Sequence, residues 1–413
     1  MFILVAYASV MRIVHVSDAY VPRVGGLETQ VRSLAEQQAR AGHEVFVLTA
    51  TLGRTAAGAP LGGGAVENTS GVEIRRLACK LPAEIPVHPR QNSLISHALN
   101  EIRPDVVHIH AGMVSPFSFA GIRQALKLKL PIVVTWHSTF TGWSAAFKAK
   151  AWFSRWDQAP IAWTAVGSPG VRHVTRMLNT RRASDAVVST LPNGVDLGDW
   201  APSLIRKRES EQTVASSIAP QWEVPDPKRL RIIATQRLEV RKRTLPLLRA
   251  VARAQKLTPG DIKLELLIVG TGSQDAAVKR WIKRHNAVHW VKQAGRLARA
   301  QLTELYREAD VFVAPAQLEA FGIAALEART AGLAVVARSG SGVSDFVEHR
   351  VSGLLVDDDE AFAGALAQLA SEPELLQRIK AFNASHMPPF DWDTVLQKTD
   401  QEYLRAQRLA EAA

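Results

Sequence analysis

Val311-Phe-Val-Ala-Pro-Ala-Gln-Leu-Glu319-Ala-Phe-Gly-Ile-Ala-Ala-Leu-Glu327 passes from a short β-branched strand through a loop into a helix. The strand reads over Val311 to Ala314, the helix begins near Phe321, and Glu327 falls in its second turn. The same strand–loop–helix unit recurs along the chain. Strands read at 11–17, 44–50, 72–77, 106–110, 132–137, 161–167 and 186–191. The pattern then restarts with Leu230 to Thr235, Leu264 to Val269, Val288 to Lys292, Val311 to Ala314, Leu333 to Ala337 and Gly353 to Val356. Alternation of this kind builds parallel sheets with crossover helices.

At 413 residues the chain exceeds one ordinary domain. The expected fold is α/β, with two doubly wound Rossmann-like domains facing across a deep interdomain cleft. Residues 1–198 form the first domain, 199–227 a linker and loop, and 228–385 the second. A terminal helix over 386–413 is a candidate to fold back on the first domain. After the first strand, Leu27, Val31, Leu34, Ala35 and Ala39 mark one helix face, and Gly42 stops that helix. Residues 51–70 hold five glycines without periodicity and read as a surface loop.

The 47% apolar and 22% charged fractions are those of a globular chain. A single cysteine, Cys79, excludes an internal disulfide and a Cys-rich zinc site, which fits a reducing, cytoplasmic location. No apolar run reaches the ~20 residues a membrane span requires. Met1 to Val10 lack a basic start and a cleavage site, so they read as an extension ahead of a start at Met11 rather than a signal peptide. The net charge of +11 favours anionic partners. With no long basic block and no zinc-finger or RNP pattern, nucleic acid is disfavoured.

Doubly wound sheets bind ligands beyond the carboxyl ends of their strands, so polar residues there are site candidates. Gly25-Gly26 stands at a helix start, where backbone amides and the helix dipole favour an anion; a plain turn reads equally well. Arg237 and Lys242 follow the first strand of the second half. Together they can neutralise a diphosphate, or belong to a solvated charge run with Arg241 and Arg243. Glu319 and Glu327 flank one helix start and can accept hydrogen bonds from hydroxyls of a ligand whose phosphates sit there. Gly322 permits close backbone approach. Two acids favoured by the helix dipole are the plainer alternative.

These segments, taken together, resemble glycosyltransferase family 4, the large retaining family of the GT-B fold. Glu319 to Glu327 looks like its E-x7-E segment, and Thr235-Gln-Arg-Leu-Glu-Val-Arg-Lys242 like its G-R-L-x-x-x-K stretch. Pro192-Asn-Gly-Val-Asp196, Gly25-Gly26, Ile268-Val-Gly-Thr-Gly-Ser273 and Ala331-Gly332 also match, in the family's order, over nearly the whole chain from Met11. The resemblance implies a metal-independent, cofactor-free enzyme that transfers a hexosyl unit from a nucleotide-diphosphate sugar. The donor would lie mainly on the second domain. The hydroxyl acceptor, a saccharide, lipid-linked saccharide or small polyol, would lie mainly on the first. Arg237 and Lys242 would meet the diphosphate, Glu319 the sugar and Glu327 the ribose. His137 would face the sugar, with Gly270, Gly272, Phe321, Gly322 and Ile323 lining the donor. Departures are Gln236 for the usual Gly, Leu318 before Glu319, and Ala334 for a Pro.

Other signals stay apart from that set. Asp357-Asp358-Asp359 reads as a helix N-cap rather than a metal motif. His108 and His110 share a strand face, with no third metal ligand evident; His110 and Lys148 are candidates for the acceptor side. Trp143, Phe147, Trp152, Phe153 and Trp156 among basic residues suit either interior packing or peripheral contact with an anionic membrane. Rival readings are a two-lobed binding protein, a nucleotide-sugar hydrolase or epimerase, and a dehydrogenase. The last lacks the third glycine of its fingerprint, since Gly270-Thr-Gly272 runs on to Asp275.

Overall fold

A computed structural model describes residues 10–23, 25–54, 60–61, 64–79, 87–139, 155–178, 187–201 and 228–413. The chain divides into two compact units: Met1–Gly194 with Phe390–Ala413, and Val195–Pro389.

Unit 1 carries β1 (Arg12–Ser17), α1 (Gly26–Arg40), β2 (Glu44–Thr49), β3 (Gly53–Arg54), β4 (Pro60–Leu61), β5 (Ala65–Thr69) and β6 (Val72–Arg76). There follow α2 (Gln91–Ile102), β7 (Val106–Ala111), α3 (Pro116–Lys127), β8 (Ile132–Trp136), β9 (Ile161–Ala165), α4 (Ser168–Leu178) and β10 (Val188–Thr190). The main sheet runs β10-β9-β8-β7-β1-β2-β6-β5, parallel except where β5 meets β6. Strand order reverses between β1 and β7, which leaves a crevice at their carboxyl ends.

Residues 51–70 are therefore more than a loop. They hold β5 at the sheet edge and the small β3–β4 pair. The polar sequence Ala-Val-Glu-Asn-Thr hides this strand, because its side chains are mostly exposed and only β6 needs its backbone.

Each sheet face buries a different kind of layer. Val14, Val16, Val107, Ile109, Val134, Trp136 and Trp163 pack under α2, α3 and α4. On the opposite face the amino ends of the strands are apolar: Ile13, Val106, Val133 and Ala162. Their carboxyl ends are polar, because register places His15 beside His108, Ser17 beside His110, His110 beside Thr135 and Thr135 beside Thr164.

Unit 2 contains β11 (Arg229–Thr235), α5 (Thr244–Leu257), β12 (Lys263–Val269), α6 (Asp275–Arg284), β13 (Val291–Gly295), α7 (Arg299–Glu308) and β14 (Val311–Ala314). Then come α8 (Ile323–Thr330), β15 (Ala334–Arg338), β16 (Gly353–Val356), α9 (Asp359–Ser371) and α10 (Pro373–Ser385). Its sheet is wholly parallel, in order β13-β12-β11-β14-β15-β16, and reverses between β11 and β14. The strand expected at Val288 starts at Val291 instead. Amide bonds from Ala287 to Ile282 and from Trp290 to Ala287 close a turn there and leave Val288 exposed. Asp358 caps α9, its carboxylate accepting from the Ala361 amide at 2.7 Å.

The last helix, α11 (Trp392–Glu411), returns to unit 1. Asp391 caps it by accepting from the Thr394 amide at 2.9 Å. Tyr403 and Ala406 cover the apolar half of the sheet face, with Leu409 packed alongside. Gly194 lies against the Trp392 ring, in the place a side chain would occupy, and both its backbone groups bond to Gln30. A chain ending at Pro389 would uncover Met11, Ile13, Val106 and Val133 and leave His108 without Tyr403. We expect it to bind a hydrophobic dye and to lose cooperative unfolding of unit 1, measured by fluorescence and calorimetry.

Candidate active site

In unit 2 the site forms at the β11/β14 crevice. The turn after β11 supplies Arg237, exposed, and Lys242, at the end of a single 3-10 turn. The loop after β14 supplies Glu319, and the two meet: Lys242 Nζ donates to Glu319 Oε2. Two residues 77 apart in sequence are thus brought together by the reversal of strand order.

Both loops are held by close backbone contact. Gly270 has φ +129°, and its Cβ position is filled by the Gln236 carbonyl; the Leu238 backbone fills that of Gly272. The Leu238 amide donates to the Thr271 carbonyl at 3.0 Å. These glycines lock the β11 and β12 loops together, a packing reason that the sequence alone does not expose. In the same way Gly342 lies against the Ala320 carbonyl and donates its amide to Glu319 O at 2.8 Å.

Helix α8 begins at Ile323, two residues later than its sequence predicts, with left-handed Gly322 (φ +95°) as N-cap. The Ile323 and Ala324 amides precede the first bond of the helix, which Ala325 donates to Gly322 O at 2.9 Å, and can face an anion. Phe321 is 2% exposed and packs near Phe346, so its side chain belongs to the interior, and only its backbone borders the site.

Glu327 lies one turn inside α8, half-buried. Burial pushes its carboxyl up to about 7; Arg299 opposes that shift and Asp199 adds to it. Arg299 pairs with Asp199 at 3.2 Å and sits 5.2 Å over the Trp200 ring. Tyr306, buried beside Trp200, donates to Thr235 Oγ1 at 3.2 Å. Asp199, Trp200, Arg299 and Tyr306 escape sequence reasoning because they come from two stretches about 100 residues apart with no common motif.

In unit 1 the polar end of the sheet face is a connected layer of imidazoles. His15 bonds to Gln38 (2.7 Å) and His110 (2.9 Å), and His110 to His137 (3.0 Å). His108 bonds to Tyr403 (2.9 Å) and Thr135 (2.7 Å). Burial lowers the pKa of His15 to about 4 and that of His137 to about 3, and pushes His108 and His110 well down. His137 is half-buried and borders a water-sized cavity with Gln30, Asn193 and Trp392.

The structure also places the other candidates of unit 1. His110 is 2% exposed, with its ring nitrogens bonded to His15 and His137, and it lines the same small cavity as His137. A third histidine does join His108 and His110: His15 brings a ring nitrogen within 4.8 Å of theirs, a set that could hold a metal ion. All six ring nitrogens of that set are, however, already in hydrogen bonds, so a metal taking one nitrogen from each ring would have to displace existing partners. Of the two readings of its stretch, Trp156 takes interior packing: it is 1% exposed in the core beside Trp163 and Phe119. Lys148 and the other aromatics of that stretch lie outside the described residues. Gly25 is an extended N-cap residue of α1 and Gly26 its first residue; a Cβ on Gly25 would meet only the flexible Glu28 carboxylate. Asp18, at the end of β1, is committed to capping α3: it accepts the Phe117 and Ser118 amides and the Ser118 hydroxyl.

Comparison with known proteins gives these sites their class. The profile described as "Glycosyltransferase Family 4" matches residues 24–199, and that described as "Glycosyl transferases group 1" matches residues 219–386. The fold is GT-B, shared with sucrose-phosphate synthase from Thermosynechococcus elongatus at TM-score 0.69 and 20% identity, over 97% of this chain and 100% of that one. HepE from Anabaena, solved with UDP-glucose, gives TM-score 0.67 at 16% identity, over 95% and 98%. Glycogen synthase of Mycobacterium tuberculosis is 27% identical, covering 96% of this chain and 95% of that protein. D-inositol 3-phosphate glycosyltransferase of Paenarthrobacter aurescens is also 27% identical, over 92% and 93%. The chain belongs to glycosyltransferase family 4. Among the described residues no helix is long and apolar enough to cross a membrane.

The histidine layer and Glu327 respond to pH with opposite sign. The buried histidines stay neutral when folded, so their contribution is complete above the ordinary histidine value of 6.5. It is lost as pH falls towards 4. Glu327 contributes below 4.5, and that contribution is lost as pH rises through about 7. Glu327→Gln should therefore raise stability at pH 8 by about 1–3 kcal/mol and change it little at pH 5, as read by urea denaturation.

Proposed function

We propose that the protein transfers a hexosyl unit from a nucleotide-diphosphate sugar to a hydroxyl acceptor, with retention at the anomeric carbon and without a metal ion. The observation that carries this reading is the meeting of Lys242 and Glu319 at the strand-order reversal of unit 2, beside the α8 N-terminus. A sugar diphosphate presents negative charge next to hydroxyl donors. Bound there, it would take Lys242 and Arg237 on its phosphates and Glu319 on a sugar hydroxyl, splitting the ion pair into two ligand contacts. The free amides at the start of α8 would add to charge stabilisation on the leaving diphosphate. Glu327, held half-buried, would accept from a ribose hydroxyl once ionised.

In the transfer step the bond from the anomeric carbon to the departing phosphate oxygen breaks, and the acceptor oxygen bonds on the same face. The acceptor's proton passes to the departing phosphate. No side-chain nucleophile is required, and the cations stabilise the departing charge. The relatives named glycogen synthase and D-inositol 3-phosphate glycosyltransferase, and the UDP-glucose complex of HepE, support the reaction class and span several acceptors. The donor base is therefore a matter for measurement.

Calorimetric titration with UDP, GDP and ADP should find micromolar binding for one of them, with affinity rising from pH 6 to 8 as Glu327 ionises. Arg237→Ala and Lys242→Ala should each lower turnover of the matching sugar nucleotide by at least ~100-fold. Normal turnover in Arg237→Ala, or binding of NAD in place of any nucleoside diphosphate, would overturn the assignment. Product sugar without acceptor transfer would favour a nucleotide-sugar hydrolase.

A further inference from the structure

The hydrogen bonds of the unit 1 polar layer form one unbranched path. From its inner end it runs Val134 O, Thr164, Thr135, His108, Tyr403, Gln38, His15, His110, His137. The terminal carbonyl can only accept, and the Thr164 hydroxyl donates to it at 3.2 Å. That choice propagates. The Thr135 hydroxyl must donate to Thr164 Oγ1, so His108 Nε2–H donates to Thr135 and His108 Nδ1 accepts from the Tyr403 hydroxyl. Tyr403 in turn accepts from Gln38 Nε2, which leaves Gln38 Oε1 to accept from His15 Nε2–H. His15 Nδ1 then accepts from His110 Nε2–H, and His110 Nδ1 from His137 Nε2–H. The reverse order costs the bond to Val134 O, so one more hydrogen bond is made in the forward sense. Desolvation keeps all four rings neutral, as a single-file arrangement requires.

We propose that Tyr403 is a positioning residue for His137: the path it completes holds the His137 proton on Nε2 and presents Nδ1 as an acceptor to a ligand hydroxyl. The ligand half of this statement rests on the functional reading above; the proton order does not. His137 stands at the carboxyl end of β8, bordering the cavity, while Tyr403 lies on α11 and can reach it only through Gln38, His15 and His110. A site wired in this way recognises a group that donates a hydrogen bond, and selects against an ether or a carbonyl at the same place.

The test is long-range 1H–15N correlation on the full chain labelled with 15N-histidine, using His137→Ala to assign the His137 signals. In the wild type, His15, His108, His110 and His137 should all carry their proton on Nε2. Tyr403→Phe and Thr164→Val, both nearly isosteric, should each move part of the His137 signal to the Nδ1-protonated form. With the sugar nucleotide the wild type turns over fastest, Tyr403→Phe should lose about five-fold in turnover, the worth of one neutral hydrogen bond. Nucleoside diphosphate affinity should stay unchanged, and Tyr403→Phe should cause no further loss in a His137→Ala background. An Nδ1-protonated His137 in the wild type overturns the proposal. So does a His137 tautomer unmoved in both variants, or an equal turnover loss with and without His137. Should no sugar nucleotide be turned over, the functional reading fails while the tautomers still decide the proton order.

Discussion

A single phenolic hydroxyl, that of Tyr403, joins the two helices that cover the polar end of the unit 1 sheet. It accepts from Gln38 on α1 and donates to His108 on β7. Three imidazoles and two threonine hydroxyls are buried on that face, with half-buried His137 beside them, and an unpaired polar group there costs about 1–3 kcal/mol. The layer is stable because every ring nitrogen except His137 Nδ1 has a partner among the described residues. Packing of α11, burial of histidine and presentation of His137 are therefore one problem with one solution.

Unit 2 solves a different problem. Its site must gather a cation and an anion without neutralising the place for good, and it does so at a partly accessible position. Lys242 and Glu319 are paired yet each retains some exposure, so a ligand can compete for both. Behind them the scaffold is unyielding. Gly270, Gly272 and Gly342 let neighbouring loops touch through their backbones, where any side chain would force them apart. The partly exposed charged pair thus sits on tightly packed loops, which positioned chemistry needs.

Much of the fold is legible because parallel strands buried on both faces leave short runs rich in Val, Ile and Leu, as in Arg-Ile-Val-His-Val-Ser and Leu-Glu-Leu-Leu-Ile-Val. Strand β5 is not, since an exposed edge strand needs no apolar face, and Val288 misleads because an apolar residue can sit in a turn. In the site, Glu319 and Glu327 can be read from their place in one βα unit. The pairing of Glu319 with Lys242 depends on strand order, which spacing does not encode. The histidine layer is harder still: Gln38 and Tyr403 are 365 residues apart, and nothing local in either helix distinguishes them from surface polar residues.

The contact between Gly194 and Trp392 has a topological consequence. The polypeptide leaves unit 1 just after Gly194 and re-enters it at Phe390, so exit and re-entry lie side by side in space. The second unit is thus a cassette spliced into the first, and its neighbours in the remaining fold would be separated by only a short bridge were it removed. Replacing such a cassette requires only two nearby seams, and it would leave the sheet of the first unit and the helix that covers it in place.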